Sequence, residues 1–306
     1  MYLRVSVTDR CNLRCTYCLP ESARFAESAI SADELDRLMA AVCAAVPVHK
    51  IRLTGGEPTL DPNLIQHVRT AAWLAPVVGL TTNGVLLQRL LPELQAVGLN
   101  RLNISLDAAD AAGFQRSTRR DRFGEVAASI RAAVRAGFAP LKVNAVATVD
   151  TDPVALARFA LDYGIHLRFI ELMDIGIAHA DWQERHITSA ALRERLRLGG
   201  VTIAEAPARD EPTSRVWTLP GIDPARTTLG FITTVTDPFC ATCDRIRLTS
   251  QGRLHTCLFD ERGTDLITPL RAGDLDGLTA TIRRAIASKA PPERFQRVGV
   301  MAAIGG

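Results

Sequence analysis

Six short apolar runs, each followed by a longer stretch of helical periodicity except the last, dominate the first half of the chain. The runs are LRVSV (3–7), KIRLT (50–54), VVGLTT (77–82), RLNISL (101–106), LKVNAVA (141–147) and HLRFIEL (166–172). Helical stretches lie between them near 31–46, 61–75, 86–97, 123–137 and 153–163. Repeated strand-then-helix units with buried-type strands require a parallel sheet with helices packed outside it. An open doubly wound sheet or a partial barrel would satisfy that pattern. No G-x-G-x-x-G or G-x-x-x-x-G-K-S/T follows the first strand, and cysteines stand there instead. The expected fold is therefore α/β, a partial (β/α)6 TIM-type barrel.

After about residue 175 the alternation stops. The stretch from Ala204 to Arg226 is rich in Pro, Asp and Arg and reads as a connector. Short strand candidates and a last helix near 274–289 follow. The expected division is a barrel over 1–203 and a smaller C-terminal α+β subdomain over 204–306. No apolar run approaches the ~18 residues that span a bilayer, and no charged-then-apolar leader opens the chain. The expectation is a cytoplasmic protein with no membrane partner. A net charge of +3 is too small to imply nucleic acid.

Seven cysteines in a reducing compartment point to metal or catalysis rather than disulfides. Cys43 falls among the alanines and valines of a helix that Ser31 and Glu34 open as a capping box, so it reads as core. The other six form two triplets, Cys11-x3-Cys15-x2-Cys18 and Cys240-x2-Cys243-x13-Cys257. Neither has a fourth cysteine. A structural zinc site is normally closed by four ligands, whereas a 4Fe-4S cube held by three thiolates leaves one iron open to an outside ligand. Two zinc alternatives stand beside the clusters. A distant His or Asp would close the first site, and His255 would close the second as a Cys3His knuckle with Cys240, Cys243 and Cys257.

The first triplet lies just after strand one, where α/β folds gather function at the carboxyl ends of their strands. TGGEP (54–58), TTNG (81–84) and SLD (105–107) recur at the same end of the next three strands. The two glycines allow close backbone approach to a ligand, and the Glu57 carboxylate can take an ammonium. Arg4, Arg52 and Arg168 are cations inside otherwise apolar strands, which is unusual unless they are used. Of 36 basic residues only three are lysines, Lys50, Lys142 and Lys289. Lys50 and Lys142 border or lie in strands, so a compact ammonium is expected to matter there.

C-x3-C-x2-C with Tyr17 before the third cysteine, followed by GGEP, resembles the radical S-adenosylmethionine (SAM) superfamily. The resemblance implies that SAM chelates the open iron and is split to a 5′-deoxyadenosyl radical. The second triplet, the Arg-Ile-Arg shortly after Cys243 and the terminal Ile-Gly-Gly resemble the GTP 3',8-cyclase family of molybdenum cofactor biosynthesis, over essentially the whole chain. That likeness implies two 4Fe-4S clusters, on Cys11, Cys15 and Cys18 and on Cys240, Cys243 and Cys257, the second helping to bind GTP. Tyr17, Gly56, Ser105 and Met173 would then bind SAM. Arg4, Lys50, Arg52, Thr81, Lys142, Arg168, Arg245, Ile246 and Arg247 would bind GTP. Gly305 and Gly306 would reach into the active site as a catalytic tail. An external electron donor and a homodimer are implied as well. In such an enzyme hydrogen leaves C3′ of the ribose, C3′ joins C8 of the guanine, and reduction completes the product.

The sequence departs from the family in two places. The chain begins ten residues before Cys11, and Val300 stands beside Met301 where the family has an arginine. A different radical SAM enzyme with an auxiliary cluster, such as a peptide-modifying maturase, is the nearer rival, although those carry more cysteines in the appended unit.

Overall fold

The computed structural model describes residues 1–25, 30–206, 213–299 and 301–304. Six parallel strands follow the expected runs closely: β1 (Tyr2–Ser6), β2 (Lys50–Thr54), β3 (Val77–Thr82), β4 (Arg101–Ser105), β5 (Leu141–Ala147) and β6 (His166–Glu171). Between them run α1 (Ala32–Ala45), α2 (Leu64–Leu74), α3 (Leu87–Ala96), α4 (Ala111–Thr118), α5 (Phe123–Arg135) and α6 (Pro153–Tyr163). The strands pair in chain order from β1 to β6, as right-handed crossovers through outer helices produce.

Local chemistry sets the helix ends. Ser31 accepts from the Glu34 N–H at 3.2 Å while Glu34 accepts from the Ser31 N–H at 2.8 Å, which completes the capping box of α1. Asp152 caps α6 ahead of Pro153. Helix α4 has no counterpart among the expected elements. Its sequence, AAGFQRST, holds a glycine and two β-hydroxy residues, and the Asp110 cap on the Gly113 N–H secures what propensity does not.

Along each strand the side chains alternate. Leu3, Val5, Ile51, Leu53, Leu80, Leu102 and Ile104 point outward and are fully buried under helix residues such as Leu38, Met39, Val42, Val68 and Leu94. Each such side chain contributes about 1.5–3 kcal/mol of burial. Cys43 packs partly buried against this core, and burial pushes its thiol up to about 11.

The C-terminal segment adds its strands to the same sheet. After β7 (Asp174–Ile175), α7 (Trp182–Arg185) and α8 (Ser189–Leu198), the expected connector over 204–226 carries β8 (Ala204–Glu205) and β9 (Arg215–Thr218). Then follow β10 (Leu229–Ile232), β11 (Arg245–Leu248), β12 (Arg253–His255), β13 (Thr264–Asp265), α9 (Ile267–Arg271), α10 (Leu275–Ala287) and β14 (Gln296–Arg297). Strand β10 pairs parallel with β6, and β11 pairs parallel with β1. The result is one mixed sheet of twelve strands, ordered β13-β12-β11-β1-β2-β3-β4-β5-β6-β10-β9-β8. The physical reason is the open edges of β1 and β6, whose unpaired backbone groups these later strands satisfy. No helix among the described residues is long and apolar enough to cross a membrane.

Candidate active site

The inward face of the sheet carries the opposite phase of the alternation. Tyr2, Arg4, Lys50, Arg52, Thr81, Asn103, Ser105, Lys142, Asn144, Arg168, Arg245 and Arg247 line one cavity of about 500 Å³. Contributions from seven adjacent strands to one cavity mean that this face is concave. Strand register sets the cations in rows. Arg4 lies beside Arg52 on one side and Arg247 on the other, and Tyr2 lies beside Lys50 and Arg245.

Arg52 donates from Nε to the Tyr2 hydroxyl at 2.7 Å and from a terminal nitrogen to the Leu80 carbonyl at 3.1 Å. Gly79 sits beside it in register, and a Cβ there would come within 2.8 Å of the guanidinium carbon. The glycine makes the room the buried arginine needs. The Lys50 ammonium lies 4.7 Å from the Tyr2 ring centroid, and the Arg245 guanidinium lies 5.2 Å from that of Phe239. Burial pushes Arg4 down to about 10 and Arg247 well below its usual range, and neighbouring arginines push the same way.

Ile246 differs from its neighbours. Its side chain is fully buried in the core, on the outward phase of β11, so only its backbone remains available to a ligand.

The first cysteine triplet occupies the loop after β1, and all three thiols line the cavity. They are free cysteines. Burial pushes Cys11 up to about 11 and Cys18 up to about 12, and Cys15 well above its usual value, with neighbouring thiols pushing the same way for Cys15 and Cys18. Tyr17 donates its hydroxyl to Asp107 at 2.7 Å, and Asp107 also accepts from the Val146 N–H at 2.9 Å. Burial lifts the Asp107 carboxyl to about 6.

The GGEP loop lies against this triplet. The Gly56 and Glu57 N–H groups donate to the Thr8 and Arg10 carbonyls at 2.8 and 2.7 Å. A Cβ on Gly55 or Gly56 would stand 2.4 Å from those backbone oxygens or their neighbours. The glycine pair thus admits the cysteine loop itself, not only a ligand. The Glu57 carboxylate likewise differs from its sequence reading as an ammonium partner. It accepts from the Thr59 N–H and hydroxyl, the Thr82 hydroxyl and the Asn83 N–H at 2.6–3.0 Å, which nearly fills its acceptor capacity.

Met173, Met301 and Ala302 line the same cavity. Gly305 and Gly306 lie outside the described residues.

Cys240, Cys243 and Cys257 line the far part of the cavity. Burial raises the Cys240 thiol, and Cys257 and Cys243 raise it further. The Lys289 ammonium donates to the carbonyls of Arg245 and Thr256, joining the backbone just after Cys243 to that just before Cys257. His255 does not join the triplet. Its Nδ1 lies 2.9 Å from the Asp260 carbonyl, and the Gly263 backbone packs closely against its ring. Among the described residues no three of His, Cys, Asp and Glu are grouped as a single ion requires. One zinc draws its ligands to about 2.0–2.3 Å from a single point, whereas a cube spreads three thiolates over three irons. Three soft thiol donors in the loop after β1 suit an iron–sulfur cluster.

Residues 5–151 match the Radical SAM superfamily, and residues 165–295 match Molybdenum Cofactor Synthesis C. A GTP 3',8-cyclase of Mycobacterium sp. (strain KMS) is 40% identical, covering 99% of this chain and 90% of the relative. The chain belongs to the GTP 3',8-cyclase family. A second cyclase, from Heliobacterium modesticaldum (strain ATCC 51547 / Ice1), is 40% identical over 94% of this chain and 90% of its own length. Among solved structures, Streptococcus suis SuiB bound to S-adenosylmethionine superposes with a TM-score of 0.63 at 17% identity, covering 92% of this chain and 67% of that one. This likeness concerns the fold: α/β, with a mixed sheet.

Several cavity residues of this family member escaped the sequence reading. Tyr2 fell just outside the first expected strand, although its place two residues before Arg4 on the same face was a usable signal. Asn103 and Asn144 were polar residues on the inward phase of strands. Lys289, outside the cavity lining, braces the second cysteine loop and gave only its rarity as a signal.

Proposed function

We propose that this chain is a radical SAM cyclase that converts GTP to (8S)-3′,8-cyclo-7,8-dihydroguanosine 5′-triphosphate, the first step of molybdenum cofactor biosynthesis. One observation carries this reading: a single cavity holds both cysteine triplets with seven cationic side chains of the sheet, Arg52 and Arg247 among them buried. A 4Fe-4S cluster on Cys11, Cys15 and Cys18 supplies, when bound, the electron that cleaves SAM.

The protein's own part is positioning. Tyr17, fixed by Asp107, joins Gly56, Ser105 and Met173 on the SAM side. Arg4, Lys50, Arg52, Lys142, Arg168, Arg245 and Arg247, with Thr81 and the backbone of Ile246, receive the nucleotide. A triphosphate needs several cations, and Arg offers bidentate donors where Lys offers a compact charge. Fixing the nucleotide in this way holds the ribose C3′ toward the SAM side, a gain in effective concentration. Cys240, Cys243 and Cys257 hold a second 4Fe-4S cluster at the nucleotide end. Gly305 and Gly306 act as the catalytic tail; the place of Met301 and Ala302 in the cavity lining supports that reading.

The central sheet, concave around this cavity, is read as the partial (β/α)6 barrel. The division at 203/204 is one of roles, 204–306 supplying the second triplet and the tail. The enzyme works as a homodimer with an external one-electron donor in the reducing cytoplasm; sedimentation of the reconstituted protein checks the dimer.

Anaerobic reconstitution tests the core of the proposal. Wild type should hold about eight irons and eight sulfides, falling to about four of each in Cys257→Ala. Four irons plus one zinc, with only the zinc lost in the variant, would sink it. Given two clusters, GTP, SAM and a reductant should yield the cyclised nucleotide. Deleting Gly305 and Gly306 should abolish the product while leaving the iron content unchanged.

A further inference from the structure

Tyr2 sits at the centre of the cation array, and nothing in the family reading gives it a role. Its hydroxyl oxygen accepts from Arg52 Nε at 2.7 Å, and Arg4 follows two residues on along the same face of β1. The Lys50 ammonium stands 4.7 Å over its ring and the Arg245 guanidinium 6.0 Å. A charged donor on the phenol oxygen, with Arg4 beside it and two more cations on the ring, suits a negative oxygen better than a neutral one.

We propose that Tyr2 is a positioning residue of the nucleotide site: its phenolate is the internal counter-anion of the empty cradle, and it takes up a proton when the triphosphate arrives. The inference rests on the nucleotide reading above. In the empty protein the oxygen holds Arg4 and Arg52 in place against their mutual repulsion. A bound triphosphate supplies the anion instead, the phenolate is then surplus charge, and one proton from solvent neutralises it. No bond other than O–H forms or breaks.

The groups facing Tyr2 support this balance. Arg4 lies on its own strand, Lys50 and Arg52 on β2, and Arg245 and Arg247 on β11. Beneath them the His49 ring is 3.5 Å from the Asp244 carboxylate, and the amino terminus bonds the Pro47 carbonyl. Burial alone raises the phenol, but Arg52, Arg4, Lys50 and Arg245 outweigh it and bring Tyr2 down to about 7.

Calorimetry of GTP binding to reconstituted protein, with SAM omitted so that no turnover occurs, tests the proposal. Runs at pH 8 in two buffers of different ionisation heat give the protons taken up. A terminal phosphate with a second pKa of about 6 is already ionised there and adds little. Wild type should take up close to one proton per GTP, and Tyr2→Phe close to none. From pH 8 to 9 the wild-type Kd should weaken by up to about tenfold while that of Tyr2→Phe stays flat. Absence of uptake in wild type, or equal uptake in the variant, overturns the proposal. If wild type fails to bind GTP at all, the nucleotide reading itself falls and this inference with it. Unchanged iron content in Tyr2→Phe confirms that the variant is folded.

Discussion

Glu57 and Glu171 are buried carboxylates at the mouth of the sheet, and each binds one loop to another. Glu57 joins the GGEP turn to Thr82 and Asn83 after β3. Glu171 accepts from the Ser189, Val235 and Thr236 N–H groups at 3.0–3.1 Å and from the Thr236 hydroxyl, fixing the segment that leads to Cys240. Each carboxylate thereby positions a segment beside one triplet without touching a sulfur. In Glu57→Gln an amide must replace one carboxylate oxygen, so at least one buried donor faces another donor. That costs about 1–3 kcal/mol. Urea unfolding should show the loss, together with weaker SAM binding; a midpoint equal to wild type would show that the turn holds without the charge. Residue type alone could not reveal these roles. An acidic residue at a strand end reads as a ligand or a surface charge until its donors, distant in sequence, are placed around it.

The elements meet through polar joints as well as apolar faces. His67 on α2 lies between Asp36 of α1, at 2.6 Å, and Asp61 in the preceding turn, at 3.4 Å. Burial alone would lower the imidazole pKa, but bonds to Asp36 and Asp61 raise it to about 9. A raised pKa means stability that is full below the unfolded value of about 6.5 and lost as pH rises through 9. Burial raises the Asp36 carboxyl pKa, but its bond to His67 and that residue's charge outweigh this and the net shift is downward, so on the acid side the joint fails only as pH falls through that depressed value. The ceiling is ~3 kcal/mol from the size of the imidazole shift. Wild type should therefore lose stability relative to His67→Gln between pH 7 and 10; parallel curves would mean that the imidazole is not charged in the fold. At this scale the sequence was most legible, because strand alternation and helix caps are local. Cations inside apolar strands already marked the cavity face, since period two leaves Arg4, Arg52 and Arg168 on the inward phase.

For the whole molecule the decisive feature is that the last hundred residues complete the sheet at both edges. Strand β11 covers β1, β10 covers β6, and Lys289 and Arg271 tie the final helices back through the Thr256 carbonyl and Glu34. A chain cut after residue 203 would expose two unpaired parallel edges and the inner face of the cavity. Such a fragment should aggregate rather than fold. In the full chain, Trp217 fluorescence and far-UV circular dichroism should follow one urea transition; two separated transitions would show that the C-terminal segment folds as a unit of its own.

By itself the sequence determined the six strands with the helices between them and the two three-cysteine groups. Those depend on spacing along the chain and on side-chain periodicity. Only the tertiary structure decided that both triplets open onto one cavity, that the later strands belong to the same sheet, that His255 turns away from the cysteines and that Tyr2 gathers the cations. These are relations between residues far apart in sequence, fixed by strand register and by the pairing of open edges, and no local pattern encodes them.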